Sequence, residues 1–144
     1  MKVMYTNIDG ILSSRLELQD YVMAEKPDIV CLTETKLNDK IKVNLDNKFN
    51  IWRKDREGKG GGGVMIMTRK EINVDKVWYG KSKAEVVSIQ IKEEGKEVII
   101  MVTYVPPKTN SWTKRDYDDM MMDTLKSMEG VLNEKKKGVS SRRF

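Results

Sequence analysis

The chain has 144 residues, 39% of them hydrophobic and 34% charged, with a formal net charge of +5; this suits one globular domain rather than a disordered polymer. It has no histidine and a single cysteine, Cys31. These counts exclude a Ser-His-Asp triad, a Cys-His pair, a histidine metal ligand, an intrachain disulfide and a multi-cysteine zinc site.

Lys2–Ile8 is expected as a strand, with Val3 and Tyr5 on one face and Met4 on the other. Asp9-Gly10 turns the chain. Ser14-Arg15-Leu16-Glu17 has the form of a capping box, and the helix after it places Leu18, Tyr21 and Val22 on one stripe. Lys26-Pro27 ends that helix, because proline disfavours a helical residue before it. Asp28–Thr33 follows, apolar on both faces over Ile29-Val30-Cys31-Leu32, as a strand covered on both sides should be. Cys31 inside it reads as a buried structural thiol. Strand, helix and strand make a βαβ unit.

The middle of the chain reads as a β-meander. Phe49–Arg53 is a strand, the glycine run Gly58–Gly63 a flexible turn, and Val64–Thr68 the next strand. Val86–Ile91 alternates, with Val87, Ile89 and Ile91 opposite Val86, Ser88 and Gln90. Glu94-Gly95 then turns into an apolar strand over Glu97–Val105, which Pro106-Pro107 ends. Thr113 caps a helix across Arg115–Glu134, whose apolar stripe is Tyr117, Met121, Leu125, Met128 and Leu132. Residues 135–144 carry Lys135, Lys136, Lys137, Arg142 and Arg143 and no acid, so they are expected as a basic, disordered tail that suits phosphate backbones. No stretch approaches the ~18 apolar residues needed to cross a bilayer. The start shows no signal-peptide hydrophobic region, so the expectation is an intracellular protein with no membrane partner.

Glu34 closes an otherwise apolar strand. A carboxylate at the carboxyl end of a sheet strand can hold a hard cation such as Mg²⁺; equally, it can pair with Lys36. Asn7 ends the neighbouring strand, where its amide can orient a metal-bound water or phosphate, or simply serve the Asp9-Gly10 turn. Tyr104 stands at another strand end, able to reach a phosphate or to pack. The glycine run lacks the Gly-Lys-Ser/Thr ending of a P-loop, and a hairpin turn is the favoured reading. Trp52, Trp78 and Trp112 can stack on bases or serve as core and rim. Met120-Met121-Met122 reads as helix core with the surplus exposed.

The order of these segments carries a resemblance. Tyr5-Thr6-Asn7-Ile8-Asp9-Gly10, then Pro27-Asp28-Ile29-Val30-Cys31-Leu32-Thr33-Glu34-Thr35-Lys36-Leu37, then Gly61-Gly62-Gly63-Val64, then Thr103-Tyr104-Val105-Pro106-Pro107 resembles the opening half of the endonuclease/exonuclease/phosphatase superfamily. The likeness runs over roughly residues 2–134 and is greatest to the apurinic-type endonuclease domain that non-LTR retrotransposons carry beside their reverse transcriptase. It implies an α/β fold, a four-layer sandwich of two packed β-sheets flanked by helices, with residues 1–134 as the N-terminal part of the domain. It also implies hydrolysis of DNA phosphodiester bonds with Mg²⁺ or Mn²⁺. The glutamate matching Glu34 holds the metal, the asparagine matching Asn7 lies beside it, and the tyrosine matching Tyr104 faces the scissile phosphate. A retrotransposon endonuclease would be nuclear.

Later motifs of the family, Gly-Asp-Phe-Asn and Ser-Asp-His, do not occur in these residues. The expectation is therefore a truncated domain, its C-terminal half missing, inactive alone and poorly folded. Its partners would be DNA and either the missing half or the rest of a polyprotein. The alternative is a catalytically inactive remnant that binds nucleic acid or another acidic partner.

Overall fold

The computed structural model describes residues 1–43, 47–58 and 60–134 in full, and of residues 135–141 the backbone of the last helix. The tail expected over 135–144, and Lys59 of the glycine run, lie outside the fully described residues. The elements are β1 (Val3–Asn7), α1 (Arg15–Glu25), β2 (Ile29–Thr33), β3 (Phe49–Lys54), β4 (Val64–Arg69), β5 (Val74–Tyr79), β6 (Glu85–Glu93), β7 (Lys96–Tyr104) and α2 (Lys114–Ser141).

Two sheets pack face to face. The first has the order β1-β2-β4-β3, the second β5-β6-β7. β1 and β2 run parallel, with Val3 opposite Ile29 and Asn7 opposite Thr33; every other pairing is antiparallel. Strand alternation then sorts the core into two clusters. Val30, Leu32, Met65 and Met67 face Leu18 and Val22 of α1. Their neighbours Ile29, Cys31, Val64 and Ile66 face Val87, Ile89, Ile91 and Val102 of the second sheet. Burial raises the Cys31 thiol to a pKa of about 11, as expected of a thiol with a structural role. α2 covers the far side of β6, so the layers are helix, sheet, sheet, helix. This is the expected α/β sandwich.

Several local expectations need correction. Ser14 occupies the N-cap of α1, but its hydroxyl donates to the Ile8 carbonyl at 3.3 Å and no capping bond forms. Tyr21 does not join the buried stripe. It is exposed, in a cleft with Met4, Tyr5 and Leu18, where α1 overhangs the open edge of β1. The buried face of α2 is Met120, Thr124 and Val131, while Leu125 and Leu132 are exposed. At ~100° per residue, Leu125 and Leu132 sit close to a third of a turn round from the centre of that face. Polar Thr124 hid the true stripe; its hydroxyl is satisfied by the Met120 carbonyl at 2.8 Å. The Thr113 cap does form, accepting from the Asp116 N–H at 3.1 Å.

β5 is an element the pattern did not show. Asp75 and Lys76 break its alternation, and the ladder to β6 slips between Val74 and Lys76, the mark of a bulge. β6 is the central strand of its sheet and is buried from Glu85 to Ile91, because β5, β7, α2 and the first sheet surround it.

Candidate active site

The carboxyl ends of β1, β2 and β7 and the amino ends of β4 and β6 meet at one rim, and the connections there are laced together through their backbones. Beyond β1, Ile8 N–H donates to the Thr33 carbonyl at 3.0 Å, Gly10 N–H to Glu34 at 2.8 Å and Ile11 N–H to Thr35 at 3.1 Å. Thr35 and Lys36 in turn donate to the carbonyls of Gly63 and Gly62, at 3.4 and 2.8 Å. Three non-glycine residues here have left-handed backbones: Asp9 (φ 47°), Glu34 (φ 54°) and Lys36 (φ 56°). Such conformations cost on the order of 1–3 kcal/mol each and persist where the surroundings over-determine them. The lacing supplies that constraint.

Glu34 leaves β2 just past the rim, half-buried. Tyr104, the last residue of β7, donates its hydroxyl to Glu34 Oε1 at 2.6 Å, so the contact joins the two sheets. Burial, and next the bond to Glu34, raise the Tyr104 phenol to a pKa of about 12, which keeps it a proton donor at neutral pH. Lys36 is not the partner of Glu34. Its ammonium pairs with Asp9 Oδ1 at 2.5 Å, and that bond raises its pKa. Asn7 lies in register with Thr33, the residue before Glu34, and on the same rim. Its exposed side chain accepts from the Asp9 N–H at 3.2 Å, so in this structure it serves the turn.

The glycine run closes the β3–β4 hairpin, with Lys54 opposite Val64. Gly62 (φ 61°) and Gly63 (φ 95°) are both in the left-handed region. A Cβ on Gly63 would strike the Thr35 hydroxyl, and one on Gly62 would strike Glu85 and Arg56. These glycines therefore admit close neighbours rather than cradle a ligand. Glu85 and Arg56 are residues the sequence reading missed. The signal was available in part: Glu85 is a charge set at the start of an apolar strand, the same feature that singles out Glu34. Among the aromatics, Trp112 stands at this rim, 5.9 Å from the Arg56 guanidinium and edge-on to Tyr117. Trp52 packs between the sheets and Trp78 lies on β5, bonded to Glu134.

Among the described residues no three His, Cys, Asp or Glu side chains gather to hold a metal ion. Mg²⁺ needs less from a protein, since one or two carboxylates with waters and substrate phosphate suffice. Glu34 fits that demand in part: Oε1 takes the Tyr104 hydroxyl, which leaves Oε2 as the oxygen for a cation. No helix among the described residues is long and apolar enough to cross a membrane.

A sequence profile of the Endonuclease/Exonuclease/phosphatase family matches residues 4–125. The chain is 30% identical over 111 residues to a DNA-(apurinic or apyrimidinic site) endonuclease of Dictyostelium discoideum, an alignment covering 74% of this chain and 30% of that protein. It is 24% identical over 139 residues to an exodeoxyribonuclease of Bacillus subtilis, covering 94% of this chain and 55% of the relative. Among solved structures, an AP endonuclease from Archaeoglobus fulgidus superposes with a TM-score of 0.57 at 27% identity, covering 74% of this chain and 41% of that one. The chain thus spans between about a third and a half of the length of these relatives.

Proposed function

The chain belongs to the Endonuclease/Exonuclease/phosphatase family, and from that premise we propose that it forms part of a divalent-metal-dependent phosphodiesterase that cleaves DNA. The observation that carries this reading is the Tyr104–Glu34 hydrogen bond across the two sheets. It places a carboxylate and a neutral phenol at one laced rim.

In this reading Glu34 would hold Mg²⁺ or Mn²⁺, and Asn7 on the same rim would orient a water or phosphate oxygen. Tyr104 keeps Glu34 in place and offers its proton to a phosphate oxygen when substrate displaces that bond. A bound divalent cation polarises the phosphoryl oxygen and offsets the developing negative charge. The remaining donors are waters, the substrate and groups from outside these residues, so strong cation binding by these residues alone is not expected. The basic balance of the chain, +5, favours the phosphate backbone as partner. The likeness to apurinic-type endonucleases supports DNA as the substrate. The finer proposal is a nuclear endonuclease of the kind non-LTR retrotransposons carry. It rests on the order of the Asn7, Glu34, glycine-run and Tyr104 segments, and a reverse transcriptase encoded in the same transcript would support it.

The test is nicking of supercoiled plasmid and of an abasic-site duplex with Mg²⁺ or Mn²⁺, comparing the protein with Glu34→Gln. Cation-dependent nicking that falls at least ~100-fold in the variant supports the proposal. Salt-sensitive binding with no cleavage would instead establish the binding-remnant alternative.

A further inference from the structure

The glycine loop that supports the Glu34 turn is itself held by a buried ion pair. Glu85, the first residue of β6, is only 2% exposed. Its Oε1 accepts the Gly63 N–H at 2.5 Å, and its Oε2 accepts from Arg56 Nε and Nη2 at 3.3 and 3.2 Å. Arg56 also donates to the Gly60 carbonyl at 3.4 Å, so Arg56 and Glu85 together hold the two ends of the loop's final turn.

A buried pair of this kind contributes little net stability compared with apolar residues of the same volume. What it does supply is direction, because a carboxylate and a planar guanidinium fix each other's orientation. That direction is passed on. Gly63 and Gly62 accept the backbone N–H groups of Thr35 and Lys36, the two residues that follow the left-handed backbone of Glu34. By a second route, Glu85 lies opposite Tyr104 in the β6–β7 ladder. Both partners of the Glu34–Tyr104 hydrogen bond are therefore referred to the same buried carboxylate.

We propose that Arg56 and Glu85 are positioning residues for Glu34. Glu85 clamps the Gly62-Gly63 backbone to which the Glu34 turn is laced, and Arg56 holds Glu85 in the orientation that does so. The role matters to function only on the reading of Glu34 and Tyr104 as working groups, but the clamp itself is testable without metal, DNA or activity.

The test is the acid–base midpoint of the phenol at position 104, read in the full chain with a fluorinated tyrosine replacing Tyr104. The more acidic fluorophenol titrates nearer neutrality, where the fold stays intact. Two effects of Arg56→Met have opposite signs. The Arg56 charge favours phenolate at Tyr104, so loss of the charge alone raises the midpoint; Glu34 favours the phenol, so displacement of Glu34 lowers it. Positioning predicts a net fall, of up to about tenfold in proton affinity, smaller than that produced by Glu34→Gln because the lost Arg56 charge opposes it. It also predicts no further fall when the two substitutions are combined.

A rise, no change, or a fall that persists undiminished beside Glu34→Gln overturns the proposal, as does a midpoint indifferent to Glu34→Gln. If Arg56→Met does not fold, Arg56→Lys decides by the same criteria: it keeps the charge and loses the two-pronged contact, so a fall there reports Glu34 displaced. A protein that never nicks DNA leaves this outcome standing, and a failed clamp leaves the nuclease assay standing.

Discussion

At the scale of single residues, the site is governed by which neighbours each side chain admits. Gly63→Ala meets two penalties, a left-handed backbone and the Thr35 hydroxyl. Gly95, in the turn between β6 and β7, has a similar φ of 79° with nothing near a Cβ. Urea unfolding of the two variants separates the terms. Gly95→Ala is expected to lose about 1 kcal/mol from backbone strain and Gly63→Ala distinctly more; equal losses would deny the close approach to Thr35. Tyr104 gives a pH signature. Its pKa is raised, by burial first and then by Glu34, so the folded state holds a proton that the unfolded chain releases. The associated stability is fully present below pH ~10, the ordinary tyrosine value, and is lost as pH climbs toward about 12. Thermal midpoints across that window are expected to fall less steeply for Tyr104→Phe than for the parent; parallel profiles would contradict the shift. Glu34 and Tyr104 could be singled out from sequence because each ends a strand. That they touch, and that Lys36 turns instead to Asp9, depends on how the sheets and turns pack, which no local pattern records.

Secondary elements were legible where burial is uniform and obscured where it is not. β2 is buried at every position, so its apolar run survives in the sequence as a plain signal. β5 is interrupted by Asp75 and Lys76, and half of it faces solvent, so its six residues leave no clean alternation. α2 shows the same ambiguity in its facing. Leu125 and Leu132 look like core and are half exposed, while Thr124 looks like surface and is buried. The helix is thus set by Met120 and Val131 against β6, with the threonine tolerated because its hydroxyl finds a carbonyl one turn back. Truncation inverts the expectation drawn from hydrophobicity. Met120→Ala, at a fully buried position, is expected to destabilise by about 2–5 kcal/mol, and Leu125→Ala by no more than about 0.5 kcal/mol. Chemical denaturation of both variants checks the order, and a larger loss at Leu125 would mean that the helix is rotated from the position described.

For the whole molecule, what matters is where the two sheets stop. β7 lies over β2 and β4, while β1 continues the first sheet beyond it. Val3 and Tyr5 point to the same side as Ile29 and Cys31, their partners in register, which is the side that packs on the second sheet. Ile29 is fully buried there, whereas Val3 is 47% exposed and Tyr5 62%, because among the described residues no strand lies over β1. The free edges of β1 and β7 consequently stand on the same flank of the sandwich, with apolar side chains between them. Unpaired N–H and C=O groups beside apolar surface form a template for another strand. The core does not share this weakness, since the inter-sheet cluster and the one beneath α1 are both closed. The chain of 144 residues is therefore expected to unfold cooperatively, contrary to the reading of it as poorly folded, and yet to self-associate through this flank. Sedimentation velocity over a concentration series is expected to show reversible association that Val3→Lys weakens, because a lysine on an edge strand opposes pairing. The same substitution should leave the thermal midpoint almost unchanged, since Val3 has little packing to lose. A protein that stays monomeric at every concentration, or a Val3→Lys variant that associates as before, would place the sticky surface elsewhere.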